Sequence, residues 1–295
     1  MSPASTVTRV APENFEWTSP EGPAARVRTV VERATTADGA APLDEAALLA
    51  LRHQGLAGSA LWEARGGFAW VHDGALDLVV DPDARGLGTG TALAEAALPP
   101  QGPVTAWSHG NHPAAAALAA RCGLARVRDL WVMRRPLVDL PALPEPADGT
   151  VVRSFRDGDE QAFLDVNARA FAHHPEQGGL TLDGLRERQA EDWFDPAGFF
   201  LAWRGEELVG YHWTKEHRDE TPAYGEVYVV GVAPGAQGGG LGRLLTLTGL
   251  HHLAARGLDQ VLLYVEADNA PAVAVYSRLG FTHAPEDTHV QYARA

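Results

Sequence analysis

Two glycine-rich strings stand 152 residues apart in this 295-residue chain, and they read as one device used twice. The first is Arg85-Gly86-Leu87-Gly88-Thr89-Gly90, after the apolar run Leu76-Asp77-Leu78-Val79-Val80. The second is Gln237-Gly238-Gly239-Gly240-Leu241-Gly242, after Val227-Tyr228-Val229-Val230-Gly231-Val232. Both have the form Gln/Arg-x-x-Gly-x-Gly, and both lead into an Ala/Leu-rich stretch expected to be helical. A turn of this kind aims several backbone N–H groups at one spot, at the positive end of a helix dipole. Glycine lets a pyrophosphate approach that backbone without interference from Cβ. Neither string ends in the Gly-Lys-Ser/Thr of a P-loop, and neither has the G-x-G-x-x-G spacing of a dinucleotide site.

The flanks repeat as well. After the second loop come Leu262-Leu263-Tyr264-Val265-Glu266, then Asn269-Ala270-Pro271, a helical stretch and Gly280-Phe281. After the first come Val104-Thr105-Ala106-Trp107, then Asn111-His112-Pro113, an Ala-rich stretch and Gly123-Leu124. Strand, Asn-x-Pro, helix and Gly-apolar exit recur in order. Between the copies Pro136, Pro141, Pro144 and Pro146 precede Asp148-Gly149, an extended linker. We therefore expect a loose tail over 1–23, a first domain over 24–136, a linker over 137–149 and a second domain over 150–295. The first half reads as a helix at 43–53 and strands within 58–80 broken at Gly66-Gly67 and Asp73-Gly74. The second reads as strands at 199–203, 207–214 and 223–232 before its loop. The expected class is α/β: two tandem domains, each a mixed central sheet flanked by helices.

Bulk properties remove several function classes. The formal charge of −14 makes nucleic acid and anionic membranes poor partners. No apolar run reaches the length of a membrane span, and the first 23 residues lack the regions of a signal peptide. The single cysteine, Cys122, fits a reducing, cytoplasmic setting and is read as a small buried residue rather than a nucleophile. His251-His252 and His173-His174 have no partners at metal-ligand spacing, so no metal is expected. A monomer acting on small molecules is the expectation.

These strings resemble the GCN5-related N-acetyltransferase superfamily, whose pyrophosphate loop is Gln/Arg-x-x-Gly-x-Gly/Ala and whose later Asn…Tyr helix flanks the pantetheine arm of acetyl-CoA. Longer strings are similar to one tandem member, the mycothiol synthase family. They are His174-Pro175-Glu176-Gln177-Gly178, His212-Trp213-Thr214-Lys215, Gly225-Glu226-Val227-Tyr228 and Leu263-Tyr264-Val265-Glu266-Ala267-Asp268-Asn269. The resemblance implies acetyl-CoA as cosubstrate, held in the second half by Val230, Gly231, Val232, Gln237, Gly238, Gly239, Gly240, Leu241, Gly242, Arg243, Asn269 and Ala274. In the first half it implies Leu78, Val79, Val80, Arg85, Gly86, Leu87, Gly88, Thr89 and Gly90. It also implies an acceptor made of cysteine, glucosamine and inositol, contacted by Glu45, Glu176, Lys215, Glu226 and Tyr264. The sequence departs from the family where Gly238-Gly239-Gly240 replaces a loop that commonly carries arginine.

Moving acetyl from a thioester to an amine needs a base for the ammonium, donors for the developing oxyanion and an acid for the leaving thiolate. Glu226, on the strand entering the second loop, is the candidate base. Strand alternation puts Glu226, Tyr228 and Val230 on one face. Tyr276, on the helix after Asn269, is the candidate acid, and the Val232 N–H a candidate oxyanion donor. At the matching places the first half has Gly74, with Asp73 and Asp77 only nearby, and Leu118 or Ala119. We therefore expect chemistry in the second half and a structural or cofactor-holding first half. Two other functions fit less of the sequence: a different small-amine N-acetyltransferase, and a non-catalytic acyl-CoA sensor.

Overall fold

The computed structural model describes residues 6–146, 149–172 and 177–295. The chain divides into two compact units. Unit 1 takes the chain up to Trp131 together with Glu266–Asp268 and Ala284–Ala295; unit 2 takes Val132–Val265 and Asn269–His283.

Unit 1 holds β1 (Thr8–Arg9), α1 (Pro23–Asp38), α2 (Glu45–His53), β2 (Ala60–Ala64), β3 (Gly67–His72) and β4 (Ala75–Val80). They are followed by α3 (Thr89–Ala97), β5 (Val104–Ser108), α4 (Pro113–Arg121) and the start of β6 (Ala125–Pro136). Gly66 and Gly74 both take positive φ where the three strands turn back, a conformation open to glycine at little cost. β1 through β4 pair antiparallel in sequence order; β5 then joins parallel to β4. Strand alternation sorts the side chains of β3 and β4. Phe68, Trp70 and Val79 meet Val27, Val30 and Leu51 of α1 and α2. Ala69, Leu76, Leu78 and Val80 meet Leu93 and Ala97 of α3 and Ala119 of α4.

Unit 2 repeats the plan with β7 (Thr150–Ser154), α5 (Glu160–Ala170), α6 (Leu182–Gln189), β8 (Phe199–Arg204), β9 (Glu207–His217) and β10 (Tyr224–Val232). Then come α7 (Leu241–Ala255), β11 (Gln260–Glu266) and α8 (Ala270–Arg278). Its strands run β11-β10-β9-β8-β7, antiparallel except that β11 lies parallel to β10. On one face Phe163, Leu185, Phe199, Tyr211 and Trp213 pack as an aromatic core under α5 and α6. On the other, Ala202 and Val209 meet Leu241, Leu244 and Leu245 of α7. Gly249 lets α7 lie close: a Cβ there would fall 2.1 Å from Cε1 of the buried His212.

Three sequence expectations change. The segment over 1–23 is no loose tail from residue 8 onward: β1 pairs with β2, and Val10 and Phe15 are buried in the core. The helix α1 was not read from the sequence. Its buried stripe is Ala24, Val27, Val30 and Ala34, and the Val and Thr residues between blur the helical signal. The final strand β12 (Thr282–Arg294) leaves unit 2 and pairs antiparallel with β5, from Val290↔Ser108 to Arg294↔Val104. A sequence boundary drawn as one cut at the linker cannot represent that return.

Candidate active site

The two glycine loops fold alike down to single hydrogen bonds. Gly86 and Gly88 have φ of +72° and +89°; Gly238 and Gly240 have +84° and +81°. Gly88 and Gly240 are the N-caps of α3 and α7, and neither side-chain oxygen nor bulk crowds the helix start: a Cβ at either would meet nothing within 4 Å. The first side chain of each signature reaches back five residues to the end of its strand. Arg85 Nε donates to Val80 O at 3.1 Å, and Gln237 Nε2 donates to Val232 O at 3.3 Å. Both loops therefore leave helix-start N–H groups open toward an anion, the cradle a pyrophosphate requires. In unit 1 the loop opens on a cavity of about 710 Å³, lined by Val80, Gly88, Gly90, Trp107 and Leu118 among others. Its mouth carries Arg85, already held by Asp38 through two bonds of 2.6 and 2.8 Å.

In unit 2 the pairing of β10 with β11 runs from Gly225↔Val261 to Val227↔Leu263, while β10 continues to Val232. The strands part there, so the edge of β10 ahead of the loop has backbone N–H groups facing a gap; Val232 stands at its end. Glu226 sits within the paired stretch, one residue before the strands part, and is 7% exposed. Its Oε2 lies 2.7 Å from Nε2 of His217, and its cross-strand partner on β9 is Lys215. The Lys215 ammonium lies over the rings of Trp193 at 4.3 Å and Tyr228 at 5.5 Å. Arg188 Nε donates to the Tyr228 hydroxyl at 3.0 Å.

The alternation that grouped Glu226, Tyr228 and Val230 fails at one point. A bulge lies between Val227 and Val229, leaving Tyr228 as the extra residue. Glu226 stands opposite Lys215 and Val230 opposite His212, three residues apart on β9 and so on opposite faces. Tyr228 stays on the Glu226 side, its ring 5.1 Å from that of Trp213. The inserted residue keeps the acid and the aromatic together and turns Val230 and the following backbone toward α7.

Tyr276 lies on α8, partly buried, with its ring 5.8 Å from Phe281. Burial pushes its phenol up to about 12, so it holds its proton at neutral pH. Asn269 caps α8, accepting from Ala272 N at 3.2 Å, and Ala274 lies one turn further along that helix. Tyr264 is 43% exposed on β11, and Arg243 is exposed on the first turn of α7. Glu45 belongs to unit 1, at the first position of α2. Glu176, with His173 and His174, falls outside the described residues.

Unit 1 proves to have more than a loop. Asp77 on β4 lies 2.7 Å from Nε2 of His72 on β3. In both units the histidine stands two residues beyond the acid's cross-strand partner: Trp70 for Asp77, Lys215 for Glu226. Burial raises the Asp77 carboxyl, against the lowering effect of His72. This pair faces α1 and α2, on the side of Trp70, while the cavity is lined by Leu76, Leu78 and Val80. Sequence offsets missed it because they aligned Gly74 with Glu226.

Among the described residues, Asp195, Glu216 and His252 bring three possible metal ligands within 4.8 Å of one another. Glu216 already accepts from Arg218 at 2.7 Å and Arg256 at 2.8 Å. Two guanidiniums at one carboxylate disfavour a cation there.

A model of the Acetyltransferase (GNAT) family matches residues 167–281, the fork, loop and Tyr276 helix of unit 2. A mycothiol acetyltransferase of Nocardioides sp. is 55% identical over 92% of this chain and 97% of its own length. The chain belongs to the mycothiol acetyltransferase family. It is accordingly an acetyl-CoA-dependent N-acetyltransferase. The relative from Catenulispora acidiphila is 50% identical over 92% of this chain and 96% of its own. Among solved structures, a GCN5-related N-acetyltransferase from Sphaerobacter thermophilus matches in fold with a TM-score of 0.66, 24% identity and coverage of 98% and 95%. A tandem GNAT protein from the clavulanic acid pathway matches with a TM-score of 0.60, 20% identity and coverage of 80% and 82%. No helix among the described residues is long and apolar enough to cross a membrane.

Proposed function

We propose that unit 2 transfers acetyl from acetyl-CoA to the cysteinyl amine of 1D-myo-inositol 2-(L-cysteinylamino)-2-deoxy-α-D-glucopyranoside, the last step in making mycothiol. The observation that carries the reading is the buried Glu226 on the strand that leads to the glycine loop, one residue before β10 and β11 part. An acceptor α-amine has an ordinary pKa of about 8 and arrives largely protonated. Glu226 takes that proton, directly or through a water, and frees the nitrogen lone pair. Backbone N–H groups at the opened edge of β10, Val232 among them, stabilise negative charge as it builds on the acetyl oxygen. Tyr276, protonated at neutral pH, returns a proton to the leaving thiolate.

The acceptor fits the groups around Glu226. Lys215 supplies a donor for hydroxyl oxygens, and Tyr264 an exposed phenol one strand over. Glu45 and Glu176 are further acceptor contacts on this reading. The acetyl-CoA of unit 2 rests on Gln237–Gly242 with Arg243 and Asn269. The loop over Arg85–Gly90, with its cavity, takes a second molecule of the same cosubstrate. The setting is cytoplasmic and no metal takes part. The test is acetyl-CoA with the cysteinyl pseudodisaccharide and a panel of other small amines, read by mass spectrometry. A single N-acetyl product from the pseudodisaccharide supports the reading; faster turnover of an unrelated amine, or thiol acetylation, overturns it.

A further inference from the structure

The Glu226 carboxylate is held by a side chain to which no role has been given. His217, the last residue of β9, places Nε2 2.7 Å from Glu226 Oε2. A carboxylate oxygen accepts, so in this contact Nε2 is the donor. The imidazole is fixed in turn by its cross-strand partner Tyr224, whose ring stacks on it at 4.4 Å and 21°. Burial and the nearby Glu226 charge push the Tyr224 phenol up to about 12, so the stacking ring is neutral. Lys215, directly opposite Glu226, has its ammonium over the rings of Trp193 and Tyr228.

We infer that His217 is a positioning residue for acetyl transfer: its Nε2–H pins one oxygen of Glu226 so that the other meets the acceptor ammonium. The inference rests on Glu226 being the base. The terminal torsion of a glutamate is broad, so an unheld carboxylate samples many orientations. One strong bond to Oε2 selects one of them and leaves Oε1 for chemistry. The proton step then balances simply. The N–H bond of the ammonium breaks, an O–H bond forms at Oε1, and the nitrogen keeps the electron pair for attack. His217 keeps its own hydrogen throughout. The strand pairing supplies the precision, since His217 sits two residues from Lys215 on a strand with buried residues along most of its length. The same relation joins His72 to Asp77 in unit 1, on the side away from the cavity.

The test uses the full chain, with kcat and KM measured for acetyl-CoA and the pseudodisaccharide. His217→Phe keeps a ring to stack on Tyr224 and loses the donor; His217→Gln keeps a donor near the Nε2 position. His217→Phe should lower kcat by about 10- to 100-fold with little change in KM for acetyl-CoA. His217→Gln should recover most of that loss. In a Glu226→Gln background, His217→Phe should add less than about twofold, because a residue acting through Glu226 has nothing left to position. His72→Leu, the matching change in unit 1, should leave kcat unaltered. The inference falls if His217→Phe turns over like wild type while Glu226→Gln is slow, or if His217→Gln is as slow as His217→Phe. Near-normal turnover in Glu226→Gln would overturn the base assignment itself, and this inference with it. Should His217→Phe prove unfolded by thermal melting, His217→Leu serves for the same comparison.

Discussion

Unit 1 and unit 2 share a loop, a cap, a reach-back hydrogen bond and a histidine–carboxylate pair, yet differ in what those parts surround. In unit 1 the strands lead to a cavity of about 710 Å³, and the acid–histidine pair lies on the α1 and α2 face, as the unit 2 pair lies on the α5 and α6 face. In unit 2 the acid lies one residue before β10 and β11 part, opposite Lys215, and a bulge after it keeps Tyr228 on the same side. The unit 1 helix that matches α8 offers Leu118, which lines the cavity, where unit 2 offers Tyr276. The anion-facing turn is thus common to both, and the groups proposed to move protons belong to unit 2 alone. The two units keep one plan and differ in the bulge of β10, in how far the acid stands from its loop and in one hydroxyl.

The largest test of this contrast is at the loops. Gly240→Glu places a side chain at a φ of +81° and a negative charge at the start of α7, and should abolish turnover. Gly88→Glu does the same at the start of α3 and should strip acetyl-CoA from unit 1 with turnover largely kept. Equilibrium binding and steady-state rates on both variants decide the matter. The reverse outcome in folded protein would move the active site to unit 1.

Next is the pair of acids. Glu226→Gln should lower kcat by roughly 10²–10⁴ with acetyl-CoA affinity near wild type. Asp77→Asn should leave kcat alone and register only as a change in melting temperature. A rate loss in Asp77→Asn equal to that in Glu226→Gln would mean that the two pairs serve one reaction.

A smaller effect is expected at the phenol. Tyr276→Phe removes only a hydroxyl and should slow acetyl transfer by about 10²-fold or less. The loss should shrink for thioesters whose thiols are more acidic, because they leave without protonation. Equal rates for mutant and wild type would make Tyr276 a packing residue like Leu118.

The last test is on stability rather than rate, and it sets one histidine in each unit side by side. His109 in unit 1 and His212 in unit 2 are both lowered to about 4, chiefly by burial. His109 Nδ1 lies 2.8 Å from His289 Nδ1, and His212 Nδ1 lies 2.7 Å from Leu245 O. In the unfolded chain each would protonate near its ordinary value of about 6.5. The unfolded state therefore binds the extra protons, and stability falls as pH drops through 6.5, levelling off near 4. Each contributes up to about 3 kcal/mol to that loss. Urea unfolding across this range measures it. Imidazole NMR signals from either ring that titrate above pH 5 would contradict it.

The glycine loops, the Asn269 turn and the strand breaks at Gly66 and Gly74 are legible in spacing and in glycine's access to positive φ, and Glu226 and Tyr276 are the base and acid proposed from the same reading. The faces along β10 were not legible, because period-two reasoning has no means of seeing an inserted residue. His217 and His72 were passed over for a related reason. Each meets its acid across a hairpin, at a separation fixed by turn length rather than by any motif. An offset of 152 taken from the loops pointed to Gly74 and missed Asp77, which lies nearer its loop than Glu226 does to the second.

By itself, the sequence determined that the chain carries the same glycine turn twice, on α/β units of one plan, with Glu226 and Tyr276, the proposed base and acid, in the second copy alone. Those are local matters: backbone conformation, helix starts and residue type. The tertiary structure decided where the β10 edge opens beyond Glu226, which histidine meets that acid, and that the last strand returns to pair with β5 in unit 1. Each of these depends on register between strands distant in sequence, and register is set by packing of whole faces rather than by any short run of residues.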